Sequence, residues 1–222
     1  MLYEELLTKL KEKADGKYAE FHGRLLKNEN IKLIGVRIPE LRKIAKLFKG
    51  DEETLLAFPD EYYEVTFIKL TAVSMLGYEN FIKYIDYCVS LLDNWATCDC
   101  VSAKCITEHK DDFLPYIRKY AAAEGEYFQR FALVSLLHYY VEEKYAETIY
   151  AIVERCDTSL YYVHMAAAWL IAEMLVKHYE SAVGFLSEHS LDRKTHNKAI
   201  QKACESFRLS GDRKNYLKGI KR

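Results

Sequence analysis

The sequence of 222 residues has few helix-interrupting residues and no long apolar run. It contains only three prolines and nine glycines, and such sparse punctuation favours an all-α fold. Pro39 and Pro59 fall where a helix could begin, because proline is tolerated in a first helical turn. No apolar run approaches the roughly 20 residues that cross a bilayer, and the N-terminus lacks the apolar centre of a signal peptide. We therefore expect a cytoplasmic protein with no membrane partner.

The six cysteines do not form a pattern that requires disulfides or a metal. A chain of this size buries a sizeable core without covalent staples, so we expect reduced thiols. Cys98, Cys105 and His109 share one face if residues 94–109 form a single helix, with Cys100 nearby. Structural zinc sites usually combine a loop with a helix, however, and buried neutral thiols are commoner. We expect no metal and no cofactor.

Charge is balanced overall but uneven along the chain. The formal net charge is −1 and the isoelectric point is about 6.7, which is low for a nucleic-acid-binding domain. Residues 1–50 nevertheless carry 12 Lys and Arg against 7 Asp and Glu, residues 51–191 carry 10 against 23, and residues 192–222 carry 10 against 3. A polyanion could bind across the basic ends if the acidic middle keeps its carboxylates on another face. The alternative is that these cations only solvate surface helices.

Apolar residues recur at helical spacing along almost the whole chain, which predicts paired helices. The period from one pair to the next is a little over thirty residues, which is typical of HEAT-like repeats. We predict one domain over residues 1–222, an α-solenoid of HEAT-like repeats curved around a concave groove; an irregular helical bundle is the alternative. The predicted pairs are 60–76 with 78–92, 94–109 with 111–122, 126–140 with 142–155, 158–176 with 178–187, and 191–208 with 212–221.

Trp95 and Asp99 are the most informative pair in the sequence. Being four residues apart, they share a helix face. A carboxylate beside an indole on an apolar segment needs a partner, access to water or a functional role. Arg130 follows Asp99 by 31 residues and Trp169 follows Arg130 by 39, so each lies in the first helix of a predicted pair. In a stacked solenoid these helices line one wall, and all four side chains could face the same groove.

The same residues belong to four motifs that occur together in one known family. The motifs are Gly35-Val36-Arg37-Ile38-Pro39-Glu40-Leu41-Arg42-Lys43, the pair Trp95/Asp99, Phe128-Gln129-Arg130-Phe131-Ala132, and the segment from Tyr161 to Trp169. In this order and spacing, the sequence resembles the AlkD-like DNA alkylation repair proteins over nearly its whole length. The resemblance implies a HEAT-like solenoid that grips duplex DNA. It also implies a glycosylase that removes positively charged N3- or N7-alkylated purines.

The resemblance further implies a role for each member of the constellation. Asp99 matches the family's catalytic carboxylate, Trp95 and Trp169 match its two groove tryptophans, and Arg130 matches its essential arginine. The residue after the first tryptophan is commonly aspartate in relatives, whereas this chain has Ala96, so its activity could be weaker or differently selective. Structural roles are the alternatives: Asp99 as a solvent-facing acid, Trp95 as a core residue, Trp169 as a residue that fills the gap between repeats, and Arg130 as the partner of an acid in the middle region.

One carboxylate is enough for the implied reaction because of the charge on the substrate. Ordinary glycoside hydrolysis uses two, since a neutral leaving group needs a proton while the oxocarbenium-like sugar is stabilised. An alkylated purine is already cationic, so a single acid can stabilise the sugar cation and orient water. Cations over indole faces gain roughly 0.5–2 kcal/mol, which suits Trp95 and Trp169. Arg130 would hold the adjacent phosphate.

Two clusters of cations are expected to position the DNA backbone. One cluster surrounds the loop before Pro39. The other lies in the last repeat, where lysines recur every fourth residue and so form one stripe on a helix. A solvated face is the alternative reading of both. The predicted DNA contacts are Arg37, Pro39, Arg42, Lys43, Lys194, Lys198 and Lys202.

The sequence therefore predicts a monomeric DNA glycosylase whose partner is duplex DNA containing alkylated purines. Its main rival is a non-catalytic protein on the same HEAT-like scaffold that binds damaged or branched DNA. A scaffold that binds another protein is the third candidate. Release of a methylated purine separates the first from the others, and DNA binding separates the second from the third.

Overall fold

The computed structural model describes residues 1–26, 28, 30–188 and 191–222, and these form helices joined by loops. The described part of the chain contains 14 α-helices and no strand, which confirms the all-α prediction. None of the described helices combines the length and apolar character needed to cross a bilayer. The chain divides into two compact units, unit 1 (Met1–Cys105) and unit 2 (Ile106–Arg222). The organisation of residues 1–222 as one domain stays a prediction.

Unit 1 is built around a helix that is buried on all sides. This helix, α5, packs against α3, α4, α6 and α7, and eleven of its residues are buried. Its polar residues Glu64 and Lys69 are buried with the apolar ones, and both have hydrogen-bond partners that replace water. The described helices of unit 1 are α1 (Tyr3–Lys11), α2 (Gly16–Leu26), α3 (Ile38–Ala45), α4 (Glu52–Leu56), α5 (Tyr63–Ser74), α6 (Tyr78–Ser90) and α7 (Trp95–Cys100).

Unit 2 is centred on α11. This helix packs against α9, α12 and α13, while α8 packs against α9 and α10, α10 also contacts α12, and α14 packs against α13. Successive helix pairs in a stack make neighbours of this kind. The described helices of unit 2 are α8 (Lys110–Ala121), α9 (Glu126–Tyr139), α10 (Ala146–Arg155), α11 (Tyr161–Lys177), α12 (Tyr179–Glu188), α13 (Arg193–Glu205) and α14 (Gly211–Gly219).

The order and spacing of helices predicted from residue 60 onward are confirmed, with one broken segment described below. The first helices of the five pairs begin at residues 63, 95, 126, 161 and 193, so the period is a little over thirty residues. The HEAT-like classification, the curvature and the groove stay predictions. Pro39 occupies the first turn of α3, as predicted. The prediction for Pro59 was wrong, because this residue lies in the loop four residues before α5 begins.

The segment predicted as one helix over residues 94–109 is instead broken after six residues. α7 ends at Cys100, an extended stretch follows, and a 3₁₀ segment covers Lys104–Glu108. Val101 and Ala103 are both buried while the residue between them is exposed. Val101 has φ −74° and ψ 87°, outside the helical region, so the helix cannot continue through it.

The break removes the basis of the zinc alternative. Cys98, Cys105 and His109 do not share one helix face, so that interpretation of the segment was wrong. All six cysteines are free thiols, and the described residues include no group of three or more His, Cys, Asp or Glu side chains that could hold a metal. Burial raises the pKa of Cys88 and of Cys156 to about 12, which keeps these thiols protonated and unreactive.

A buried carboxylate holds the loop before α3. Glu64 of α5 is 1% exposed, and its carboxylate accepts hydrogen bonds from the backbone N–H groups of Ile34 (3.0 Å), Gly35 (2.7 Å) and Val36 (3.3 Å). Such bonds replace the water that a buried carboxylate loses. The start of α3 is therefore positioned by α5 through a single side chain.

Gly35 is required in this loop for two reasons. Its φ is +95°, a conformation that L side chains rarely adopt. A Cβ atom there would also lie 2.6 Å from the carbonyl oxygen of Asp15 and 2.8 Å from Cβ of Ala19. Gly50 is a natural comparison, because its φ is +88° but a Cβ atom would meet nothing within 4 Å.

We expect Gly35→Ala to destabilise the protein more than Gly50→Ala. The Gly50 variant should lose about 1 kcal/mol of unfolding free energy from its positive φ, and the Gly35 variant should lose at least about 3 kcal/mol because the steric clash is added. Urea unfolding followed by circular dichroism measures both. Equal losses in the two variants would show that the close approach to Asp15 and Ala19 has no energetic weight.

Candidate functional site

Trp95 and Asp99 lie one turn apart on α7, as the sequence predicts. The indole Nε1 of Trp95 donates a hydrogen bond to the backbone oxygen of Leu25, at 3.1 Å, and the ring packs half-buried against the core of unit 1. The carboxylate of Asp99 belongs to a half-buried residue near the end of the helix. The indole is thus fixed in orientation, and the acid retains access to solvent.

α7 depends on its N-cap because a helix of six residues has little stability of its own. Asn94 is 1% exposed, and its side-chain oxygen accepts hydrogen bonds from the backbone N–H groups of Ala96 and Thr97, both at 2.9 Å. The hydroxyl of Thr97 donates back to the carbonyl oxygen of Asn94 at 3.0 Å. These bonds fix the turn from which Trp95 and Asp99 project.

Ala96 packs partly against the apolar core of unit 1. A methyl group suits this position, since a carboxylate there would lose water unless a partner replaced it. The departure from the family pattern is therefore compatible with the local packing. It leaves α7 with one acid, Asp99, rather than two.

Arg42 of α3 and Asp99 of α7 act on the same thiol. Burial raises the pKa of Cys100, and the negative charge of Asp99 raises it further, whereas the positive charge of Arg42 lowers it. Both charges therefore act on the thiol at the end of α7, with opposite signs.

The other predicted contacts of unit 1 are exposed around the start of α3. Arg37 pairs with Asp15 at 2.7 Å and lies over the ring of Tyr18, 5.0 Å from its centre. Lys43 pairs with Glu40 at 2.6 Å. Exposed ion pairs of this kind contribute little to stability and exchange readily for other partners. Arg42 and Pro39 complete the exposed set on α3.

Arg130 is buried in unit 2, with 6% of its surface exposed. Its Nη1 donates a hydrogen bond to the carbonyl oxygen of Tyr162 at 3.1 Å, and its guanidinium lies 5.8 Å from the centre of the Tyr162 ring. One turn earlier on α9, the carboxylate of Glu126 accepts a hydrogen bond from the N–H of Tyr162 at 2.5 Å. The two side chains bind both backbone groups of one residue and so position the first turn of α11.

Gln129, the neighbour of Arg130 in the same motif, ties two loops to α9. Its side-chain nitrogen donates to the carbonyl oxygen of Ala123 at 3.1 Å, and its side-chain oxygen accepts from the N–H of Asp157 at 2.7 Å. The motif from Phe128 to Ala132, which the sequence predicts to be functional, thus also connects α9 to the start of α11 through hydrogen bonds.

Trp169 is 41% exposed on α11. It lines a surface pocket of about 330 Å³ together with Glu173 of its own helix and with Lys202, Ser206 and Arg208 of the neighbouring segment. The predicted groove tryptophan and a predicted DNA-contacting lysine therefore share one surface. The structural alternative, in which Trp169 only fills a gap between repeats, does not explain this exposure.

Lys194, Lys198 and Lys202 all lie on α13, as the four-residue spacing predicts. We call these three residues the lysine stripe. Lys194 lies over the ring of Tyr161 at 5.9 Å, so the stripe borders the exposed residues of α11. Below it, burial lowers the pKa of His164, and the charges of Lys194 and Lys198 lower it further. The negative charge of Asp192, at the start of α13, acts in the opposite direction but does not reverse the shift. His164 is therefore neutral at pH 7 and adds no charge beside the stripe.

Several residues that shape the site were missed from the sequence. The N-cap role of Asn94 has a readable signal, because asparagine directly precedes the apolar helix. Glu126 is also readable, as an acid one turn before Arg130 on the same helix. Glu64, Glu173 and Arg208 gave no signal, since their partners lie about thirty residues away in the chain.

Comparison with known families identifies the class of protein. Residues 6–207 match the model of a family described as DNA alkylation repair enzymes. The match spans all four motifs and nearly all of the chain, so the protein belongs to the DNA alkylation repair enzyme family. A comparison with curated individual proteins found no match.

We expect Asn94→Ala to loosen α7 and Asn94→Ser to do so less. The alanine variant loses the acceptor for two backbone N–H groups and should lower the unfolding free energy by about 1–2 kcal/mol, whereas serine can still cap the helix. Urea unfolding measures the stability, and emission from Trp95 in a Trp169→Phe background reports the local change. Identical stability of the alanine variant and the wild type would exclude the cap as the support of α7.

Proposed function

We propose that this protein is a monofunctional DNA glycosylase that hydrolyses the N-glycosidic bond of positively charged N3- or N7-alkylated purines in duplex DNA. The observation that carries the proposal is the presentation of Trp95 and Asp99 on α7 in a chain that belongs to the DNA alkylation repair enzyme family. A monomeric, cytoplasmic HEAT-like solenoid that binds the duplex in its concave groove is part of the same proposal, and no metal or cofactor enters it.

The chemistry requires one carboxylate and one water molecule. The bond between C1′ of the deoxyribose and the purine nitrogen breaks, and its electron pair neutralises the cationic base. The oxocarbenium-like sugar is stabilised by the charge of Asp99. Water then adds to C1′ and loses a proton, for which the same carboxylate is the nearest candidate base on α7. No acid is needed to protonate the departing base, which is consistent with a single acid on this helix.

The tryptophans fit the cationic nature of sugar and base. A cation over an indole face gains roughly 0.5–2 kcal/mol, and Trp95 has its ring orientation fixed by the hydrogen bond to Leu25. Trp169 offers an exposed face beside Lys202. We assign Trp95 and Trp169 to the stabilisation of the substrate's sugar, base or adjacent backbone.

The lysine stripe fits the DNA backbone in length and charge. Lys194 and Lys202 are eight residues apart on α13, which corresponds to about 12 Å along a helix axis. This distance matches three to four base steps at about 3.4 Å each. We assign the stripe, with Arg37, Pro39, Arg42 and Lys43 of unit 1, to sequence-independent contacts that position the duplex.

The second candidate is a non-catalytic protein that binds damaged or branched DNA. Two observations favour it: Ala96 replaces an acid beside the predicted site, and Arg130 is buried against Tyr162 rather than exposed to a phosphate. Wild-type protein that shifts DNA in a gel but releases no 7-methylguanine or 3-methyladenine would establish this candidate. Protein that neither cuts nor binds at low salt would favour a protein-binding scaffold instead.

We expect Asp99→Asn to reduce release of 7-methylguanine from methylated duplex by about 100-fold or more, because the charge that stabilises the sugar cation is removed. DNA affinity should stay the same or rise, since a carboxylate near phosphates is lost. Chromatography of the released base and fluorescence anisotropy measure the two effects. Asp51→Asn, the same change at an exposed acid of unit 1, is the control. Equal activity of Asp99→Asn and the control would refute the catalytic assignment.

We expect Arg130→Ala to lower DNA affinity and to reduce the slope of log affinity against log salt by about 1, as the loss of one phosphate contact does. Glu126→Gln is the matched control, because it weakens the other bond to Tyr162 without removing a cation. Its salt slope should equal that of the wild type. A wild-type slope in Arg130→Ala would assign Arg130 to the structure alone.

A further inference from the structure

Phe207 is the most exposed large apolar side chain that the structure describes. Its relative exposure is 101%, against 70% for Leu2, the next most exposed of that group. It lies in the short turn between α13 and α14. Burying an aromatic side chain is worth several kcal/mol, so leaving one fully in water is unfavourable unless a partner covers it.

The turn around Phe207 is held on both sides. The guanidinium of Arg208 forms a bidentate pair with Glu173 of α11, at 2.9 and 2.7 Å, and the N–H of Arg208 donates to the hydroxyl of Ser206 at 3.2 Å. Leu209 is 5% exposed and anchors the other end of the turn. The exposure of Phe207 is therefore set by a fixed backbone rather than by a loose segment.

The surroundings of Phe207 indicate what covers it. Ser206 and Arg208, the residues on either side, line the pocket that contains Trp169 and Lys202. Phe207 is not itself part of the lining, which also includes Glu173 and Glu205, but its backbone lies between two lining residues and five residues after Lys202, the last residue of the lysine stripe. An aromatic ring beside a row of cations is the combination that proteins use to contact a base while holding the backbone.

We propose that Phe207 stacks on a nucleobase of the DNA strand held by the lysine stripe, as an apolar wedge beside the Trp169 pocket. The inference rests on the proposed function and extends it to a residue outside the predicted site. Glu173 and Arg208 are positioning residues, because their ion pair orients the turn that presents the ring. Removing the Phe207 ring should therefore lower the affinity for DNA without changing the number of positive charges that contact it.

The test is DNA binding by Phe207→Ala, measured by fluorescence anisotropy on a labelled duplex that carries a tetrahydrofuran abasic analogue. We expect a loss of affinity of about 5- to 100-fold, the range for one aromatic contact with a base, with an unchanged salt slope. Lys202→Ala should differ by lowering the slope by about 1. Phe207→Trp should bind like the wild type, because it retains an aromatic face.

Leu47→Ala is the matched control, because Leu47 is 62% exposed in unit 1 and lies far from the stripe in sequence. Its affinity should equal that of the wild type, and the thermal stability of all four variants should stay close to that of the wild type since each side chain is largely solvent-facing. If the wild-type protein binds and cuts DNA and Phe207→Ala binds DNA with the same affinity, the Phe207 inference is overturned while the proposed function stands. A wild type that binds no DNA would overturn the proposed function together with it.

Discussion

Buried polar side chains that bind backbone groups about thirty residues away set the register between successive helices. Glu64 accepts three N–H groups from residues 34–36, Gln129 accepts the N–H of Asp157, and Tyr140 donates to the carbonyl oxygen of Lys110 at 2.6 Å. Apolar packing is non-directional and tolerates sliding of one helix along another. A hydrogen bond does not, because an unpaired buried polar group costs about 1–3 kcal/mol. Within each unit, these bonds therefore help to position the starts of α3, α8 and α11.

Side-chain hydrogen bonds to backbone groups also position the predicted site residues within each unit. In unit 1 the Asn94 side chain starts the helix that carries Trp95 and Asp99. In unit 2 Arg130 and Glu126 fix the first turn of the helix that carries Trp169. Residues that belong to the family motifs thus build the scaffold as well as supplying chemistry. A substitution at Arg130 accordingly changes both the position of α11 and the charge of the site.

The near-neutral net charge of the chain does not describe its surface, because several of its acids are bound to other groups of the protein. Glu64 is buried under the loop before α3, Glu126 is bound to the backbone of α11, and Glu173 is paired with Arg208. Each counts toward the acidic middle of the sequence, yet each is committed to a contact within its unit. The lysine stripe of α13, by contrast, borders exposed aromatic residues. A near-neutral isoelectric point is therefore compatible with a local basic surface.

The sequence by itself determined the all-α class, the order and spacing of the helices, and the common face of Trp95 and Asp99, because these follow from local periodicity. It also contained the motifs of the family, to which the match over residues 6–207 assigns the chain. Only the tertiary structure decided that α7 stops at Cys100, that Arg130 is buried and that Phe207 is exposed. Val101 and Ala103 are buried just after the break, and the turn that carries Phe207 is tied to α11 by the pair between Glu173 and Arg208. Contacts between distant segments decide such features, and no local pattern of residues encodes them.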